Sequence, residues 1–126
     1  MRNRAGGLLI ENGKILLIHR IKNINGERKE YYVVPGGGIE EKENIKEATI
    51  RELKEETGLN VKLIKNEPLI TFKTEKGNQY FSLINKVSGV LGTGDGPEFN
   101  DPAYKNMGEF ILEFIDINDI IEMKIN

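Results

Sequence analysis

Apolar and polar positions along the chain fall into short runs, most with the alternation or β-branched character of strands. "RAGGLLI" (4–10) and "ILLIHR" (15–20) flank "ENGK". An Asn-Gly pair between two apolar runs predicts two strands joined by a tight turn. "KNINGERKE" (22–30) is polar, holds a second Asn-Gly and reads as a loop. "YYVVP" (31–35) is aromatic and β-branched, a short strand ended by Pro35. "VKLIKN" (61–66) and "PLITFKT" (68–74) predict strands, "EKGN" (75–78) a turn, and "QYFSLINKVSG" (79–89) a longer strand. "LGTGDGPEFNDPAYKNMG" (91–108) is rich in Gly, Pro, Asn and Asp and reads as loop. "EFILEFIDI" (109–117) predicts a last strand, and "NDIIEMKIN" (118–126) one or two turns of helix from about Asn118. No internal repeat or low-complexity tract interrupts the pattern.

One segment breaks the strand rhythm. "NIKEATIRELKEETG" (44–58) has helical period, with Asn44 and Glu47 spaced as a capping box and Gly58 placed as the C-cap. At 100° per residue from Ile45, Thr49, Leu53, Thr57 and Ile50 fall between roughly 40° and 140°, which is the core-facing stripe. Glu52, Glu55 and Glu56 share another arc of about 100° that borders the stripe. Lys46, Lys54 and Arg51 lie outside that arc. Glutamates on a helix usually belong to a solvated face of mixed sign, because like charges at i, i+4 cost a few tenths of a kcal/mol each. Here three acids are segregated from the cations, an arrangement that a divalent cation would stabilise. Oxygen-only ligands suit magnesium, manganese or calcium rather than zinc or copper.

Composition narrows the classes. A length of 126 residues suits one domain, spanning 1–126, with one core. The net charge of −2 gives no overall basic field, so stable nucleic-acid binding is not expected. With no cysteine, thiolate catalysis and Cys-ligated zinc are excluded. No apolar run approaches the roughly 20 residues of a membrane span, and the N-terminus lacks the pattern of a signal peptide, so a cytoplasmic location is expected and no membrane partner.

Three glycines, Gly36 to Gly38, stand between a strand-like run and this helix. Either they form a flexible turn or the backbone there approaches something closely. From Gly37 to Leu59 the string "GGIEEKENIKEATIRELKEETGL" resembles the Nudix box, G-x5-E-x7-R-E-U-x-E-E-x-G-U with U a bulky aliphatic residue. Gly37, Glu43, Arg51, Glu52, Leu53, Glu55, Glu56, Gly58 and Leu59 fill every specified position. Lys42 stands where many members of the family have glycine. The resemblance implies an α+β Nudix fold: a mixed β-sheet in an α/β/α sandwich, with the box as loop–helix–loop. It implies a magnesium-dependent pyrophosphohydrolase, manganese being a substitute, that cleaves a nucleoside diphosphate-linked substrate by water attack at phosphorus. It also implies Glu52, Glu55, Glu56 and the Gly37 carbonyl as metal ligands, with Glu43 and Arg51 supporting the acids through an ion pair.

The general base has two candidates, Glu52 in the box and Glu98 in the long loop, with Asp95 and Asp101 as weaker ones. Arg20, Gly36, Gly38 and Tyr104 are candidates for substrate contact. His19 reads as a partly exposed strand residue, and Tyr31, Tyr32, Tyr80, Phe81 and Phe99 mainly as core. "GVLGTGDG" (89–96) lacks the lysine and spacing of a P-loop. The small domain favours a nucleoside triphosphate pyrophosphohydrolase. The alternatives are an ADP-ribose or nucleotide-sugar pyrophosphatase, a non-catalytic nucleotide-sensing module, and a domain that uses metal only for stability. With little chain after "EFILEFIDI", one sheet face is expected to lack a covering helix, which favours a homodimer.

Overall fold

The computed structural model describes residues 2–96 and 108–120. Strands β1 (Arg4–Glu11) and β2 (Lys14–Ile24) form the first hairpin, joined at Asn12-Gly13. Both turn residues have positive φ, 51° and 75°, as a two-residue type I′ turn requires. The second Asn-Gly behaves identically. Asn25 (φ 53°) and Gly26 (φ 81°) link β2 to β3 (Glu27–Val33), with Ile24 paired to Glu27. The polar segment 22–30 expected to be a loop is therefore a hairpin. Its turn chemistry outweighs its lack of apolar residues, because the strands there are exposed and need no buried face.

The triple glycine is a strand as well. Strand β4 (Gly36–Gly38) pairs antiparallel with β1. Helix α1 (Ile45–Thr57) follows, then β5 (Leu59–Leu63), β6 (Ile70–Thr74), β7 (Gly77–Gly89), β8 (Glu109–Asp116) and a short helix α2 (Ile117–Ile120). The strand runs expected at 61–66 and 68–74 are present but shifted or shortened. The helix expected from Asn118 begins one residue earlier, and residues 121–126 lie outside the described part.

The sheet is mixed. Its main path runs β3-β2-β1-β7-β5, with β4 beside β1, β6 beside β7 and β8 beside β2. Only the β1–β7 pairing is parallel among the described strands. Helix α1 packs on one face, and the core lies beneath it: Leu9, Leu16, Leu53, Leu59, Val61 and Ile84. Gly7 admits the helix, since a Cβ there would meet Ile84 Cδ1 at 2.6 Å and Leu53 Cδ2 at 2.9 Å. On the opposite face, at β6, Ile70 and Phe72 are exposed among the described residues. Of the two helical layers expected for the sandwich, the described residues contain α1 and the first turn of α2. No helix among them is long and apolar enough to cross a membrane.

Candidate functional site

Local chemistry sets the helix that carries the acids. The Asn44 side chain accepts from the Glu47 amide at 2.7 Å, and the Glu47 carboxylate accepts from the Asn44 amide at 3.0 Å. At the other end Gly58 adopts φ 83° and donates to the Lys54 carbonyl. The buried threonines satisfy themselves within the helix, Thr49 Oγ1 donating to the Ile45 carbonyl at 2.8 Å and Thr57 Oγ1 to that of Leu53 at 2.5 Å. The face holding Glu52, Glu55 and Glu56 is only partly exposed, and Ala48 within the same arc is fully buried. The acids thus face the protein and not bulk solvent.

Arg51 organises them. Its guanidinium has five N–H donors. Nε donates to Glu43 Oε2 at 2.6 Å and Nη2 to Glu43 Oε1 at 2.9 Å, a two-pronged pair. Nη2 also reaches the Gly38 carbonyl at 2.9 Å. Nη1 donates to Glu52 Oε1 at 2.9 Å and Glu55 Oε2 at 3.2 Å. The hydrogen bond from Arg51, together with one from the Glu40 amide at 2.9 Å, holds the Glu43 carboxyl below the usual carboxylate range, against a burial effect that would raise it. The same pairing with Glu43, then Glu52, pushes the Arg51 guanidinium further up, so it stays charged throughout.

The glycine strand lies directly against these acids. The Gly36 amide donates to Glu56 Oε1 at 2.5 Å. A Cβ at Gly37 would meet the Glu52 carboxylate at 2.5 Å. The triple glycine serves close approach, here of a carboxylate to main chain. Glu52, Glu55 and Glu56 thus share one region with Gly36, Gly37 and Gly38. They are not arranged as a closed cage: among the described residues no group of three acids or histidines is disposed to hold a metal ion. Glu52 and Glu55 turn to Arg51, and Glu56 to the Gly36 amide. The donor set nonetheless fits a hard cation, since each side chain offers carboxylate oxygen and a main-chain carbonyl strand runs beside them.

The segment after β7 closes over the C-terminal end of α1. The Gly92 amide donates to the Thr57 carbonyl and the Gly96 amide to that of Glu55, both at 2.9 Å. A Cβ on Gly94 would strike the backbone of Glu55 and Glu56. Asp95, between these contacts, is exposed. Sequence reasoning read this stretch only as loop, since main-chain capping by a distant segment leaves no side-chain signature. Glu98, Phe99, Asp101 and Tyr104 lie outside the described residues.

Arg20 is engaged elsewhere. Its guanidinium lies 3.7 Å from the Phe110 ring centroid and its Nε donates to the Glu109 carbonyl at 3.3 Å, so β8 holds it. His19 stacks on Tyr32 at 4.4 Å, with Glu30 3.3 Å from Nε2 and Glu113 3.5 Å from Nδ1. Burial and Glu113 push the Tyr32 phenol up.

A family model of the NUDIX domain matches residues 1–114. The chain is similar to an ADP-ribose pyrophosphatase of Methanocaldococcus jannaschii, 44% identical over 109 residues that make up 86% of this chain and 48% of that protein. It is 32% identical over 95 residues to an 8-oxo-dGTP diphosphatase of Buchnera aphidicola subsp. Schizaphis graminum, covering 71% of this chain and 68% of that one. An uncharacterised Nudix hydrolase of Bacillus subtilis is 26% identical, with 90% and 65% covered. The chain therefore spans about half the length of the first of these relatives and 65% of the third. Among solved structures, a NUDIX-family hydrolase from Clostridium perfringens superposes with a TM-score of 0.69 at 20% identity, covering 99% of this chain and 88% of that one. A MutT NUDIX hydrolase from Burkholderia pseudomallei gives 0.65 at 21%, covering 93% and 84%. At such identities these likenesses concern the fold.

Proposed function

The chain belongs to the Nudix hydrolase family, and from that premise we propose that it is a divalent-metal-dependent hydrolase. It cleaves a phosphoanhydride bond in a nucleoside diphosphate-linked substrate by attack of water at phosphorus. The observation that carries this reading is the gathering of Glu43, Glu52 and Glu55 on one arginine, with Glu56 on the adjoining Gly36 amide. Four acids concentrated at a strand without side chains suit a substrate whose own charge is negative only if cations intervene.

Glu52, Glu55, Glu56 and the Gly37 main-chain oxygen are the residues that would hold magnesium or manganese. When bound, such an ion neutralises phosphoryl oxygens and lowers the pKa of water. Arg51 and Glu43 fix the orientation of the acids. Gly36, Gly37 and Gly38 let a diphosphate approach the main chain. Glu52 is the base candidate within the described residues, and Glu98 is the other.

Two observations rank the substrates. The 44% identity to an ADP-ribose pyrophosphatase favours ADP-ribose over the triphosphate preferred on domain size. The 32% identity to an 8-oxo-dGTP diphosphatase keeps triphosphates as the second reading. The purified protein is incubated with magnesium or manganese and ADP-ribose, nucleotide sugars, normal and oxidised triphosphates, and products are separated. ADP-ribose giving AMP and ribose 5-phosphate supports the first reading, and triphosphate giving monophosphate and pyrophosphate the second. No turnover of any compound overturns the hydrolase reading, and saturable nucleotide binding without turnover would replace it with a sensor. Equal rates for wild type and Glu56→Gln would remove Glu56 from the metal set.

A further inference from the structure

A cavity of about 580 Å³ opens where Asn3, Tyr80 and the start of α1 meet, and Asn66 of the β5–β6 connection also lines it. It lies on the helix side of the sheet. Gly37, Ala5 and Tyr80 are register partners across β4, β1 and β7, and register partners share a face. A Cβ on Gly37 would meet Glu52 of α1, so Tyr80 faces the helix too. Gly6 and Phe81, one residue on, face the other way. The size is that of a small-molecule site.

The oxygens around this cavity are already engaged. Asn3 Oδ1 accepts from the Asn78 amide at 2.9 Å, and Asn44 Oδ1 from the Glu47 amide at 2.7 Å. The Tyr80 hydroxyl accepts from Asn78 Nδ2 at 3.1 Å. The Glu43 carboxylate, also in the wall, receives Arg51 on both oxygens and the Glu40 amide on one. What remains is donors. The side-chain NH2 groups of Asn3 and Asn44 and the Tyr80 hydroxyl proton have no partner among the described residues. The Lys46 ammonium, in the same wall, has no ion pair or hydrogen bond among them either. Three segments far apart in the chain thus turn donors and one cation to a common space.

We propose that this cavity is a second ligand site, for a small organic oxyanion on a hydroxylated skeleton, such as a sugar phosphate or a sugar acid. Lys46 supplies the charge, and hydrogen bonds to a charged acceptor are the strong ones. The Asn3 and Asn44 amides and the Tyr80 hydroxyl supply further donors to the oxyanion or the hydroxyls. Ile39 and Ile45 give the carbon skeleton an apolar wall. No carboxylate in the cavity opposes the anion without a counter-charge, because Arg51 neutralises Glu43. The site is separate from Glu52, Glu55 and Glu56, none of which lines it, and it does not need their chemistry.

The test is a titration of the whole 15N-labelled chain, in metal-free buffer, followed by amide chemical shifts. The probes are ribose 5-phosphate, gluconate, inorganic phosphate and uncharged ribose. Ribose 5-phosphate or gluconate is expected to move the amides of Asn44, Ile45, Lys46 and Tyr80 saturably, at least about tenfold tighter than ribose. The tighter of the two tells a phosphate ligand from a carboxylate. Lys46→Ala should weaken it about tenfold. Tyr80→Phe, which keeps the ring and removes the donor, should weaken it about threefold. Both Glu56→Gln and Arg4→Ala should bind as wild type does. Equal affinities for the sugar anions and ribose, shifts centred on Arg4, Gly36 and Gly37 instead, or unchanged binding in both Lys46→Ala and Tyr80→Phe would each overturn the proposal. Inorganic phosphate binding as tightly as ribose 5-phosphate would reduce the site to a bare-ion contact and overturn it as well. Loss of binding in Glu56→Gln would place the anion at the acids and do the same. Absence of turnover would leave this site standing while removing the hydrolase.

Discussion

Arg51 grips Glu43 through two parallel hydrogen bonds, 2.6 Å from Nε and 2.9 Å from Nη2, and the same guanidinium spends its remaining donors on Glu52, Glu55 and the Gly38 carbonyl. Two of those partners are in the acidic arc, one is in the glycine strand, and one lies in the segment before the helix. A single side chain therefore couples three chain segments, and removing it should scatter the acids.

Arg51→Lys keeps the charge and loses the fork. Lysine has three donors on one atom and cannot span Glu43 and the two helix acids together. Activity on the best substrate is expected to fall by about 10–100-fold, with a loss of stability of about 1–3 kcal/mol. Steady-state kinetics and urea denaturation check the two parts. Activity within twofold of wild type would show that the acids position themselves.

Acid should act through Glu43. Its carboxyl titrates below its ordinary value near 4.5 because Arg51 hydrogen-bonds the charged form. The native state then binds fewer protons than the unfolded chain, so the contribution is present above about 4.5 and is lost as pH falls through the depressed value. Glu43→Gln is expected to be less stable than wild type at neutral pH, with the difference narrowing below the ordinary value. Parallel stability curves down the whole acid limb would rule out this assignment. Arg51, whose own pKa is pushed further up, adds no slope in that range.

At Gly37 the added methyl of alanine would sit 2.5 Å from the Glu52 carboxylate. Either the carboxylate swings away or β4 shifts. Gly37→Ala is expected to lose most of its activity at a stability cost of about 1–3 kcal/mol, typical of overpacking. Retained kcat with a normal metal requirement would mean that Glu52 has room to move without consequence.

Lys42 adopts φ 69°, a left-handed conformation that costs an L-residue about 1–2 kcal/mol. This gives a physical reason for glycine in that place in relatives of the box. Lys42→Gly should raise stability by about 1 kcal/mol, which at this chain length is a melting shift of about 4 °C. Calorimetry that found a lower melting temperature would point to a role for the lysine side chain instead.

Much of the site could be read along the chain. Asn44, Glu47 and Gly58 bound α1 through contacts three or four residues long, so the helix emerges where its caps lie. The arc of Glu52, Glu55 and Glu56 follows from helical period alone. The second Asn-Gly reads as loop along the chain because polar flanks mask a turn signal that depends only on two residues with positive φ. Segment 92–96 was invisible as a cap because its backbone amides, not its side chains, meet the carbonyls of Glu55 and Thr57.

The sequence by itself determined what is local: the helix and its ends, the first tight turn, the spacing that puts three acids on one side, and the residue types that suit a hard cation. Only the tertiary structure decided what those acids face. The pairing of Gly36–Gly38 with β1 lays a strand without side chains against Glu52 and Glu56, and the register of β1 with β7 aligns Arg4 with Gln79 on the far side of it. Strand pairing joins residues far apart in the chain, and no spacing rule within one segment records which partner a strand will take.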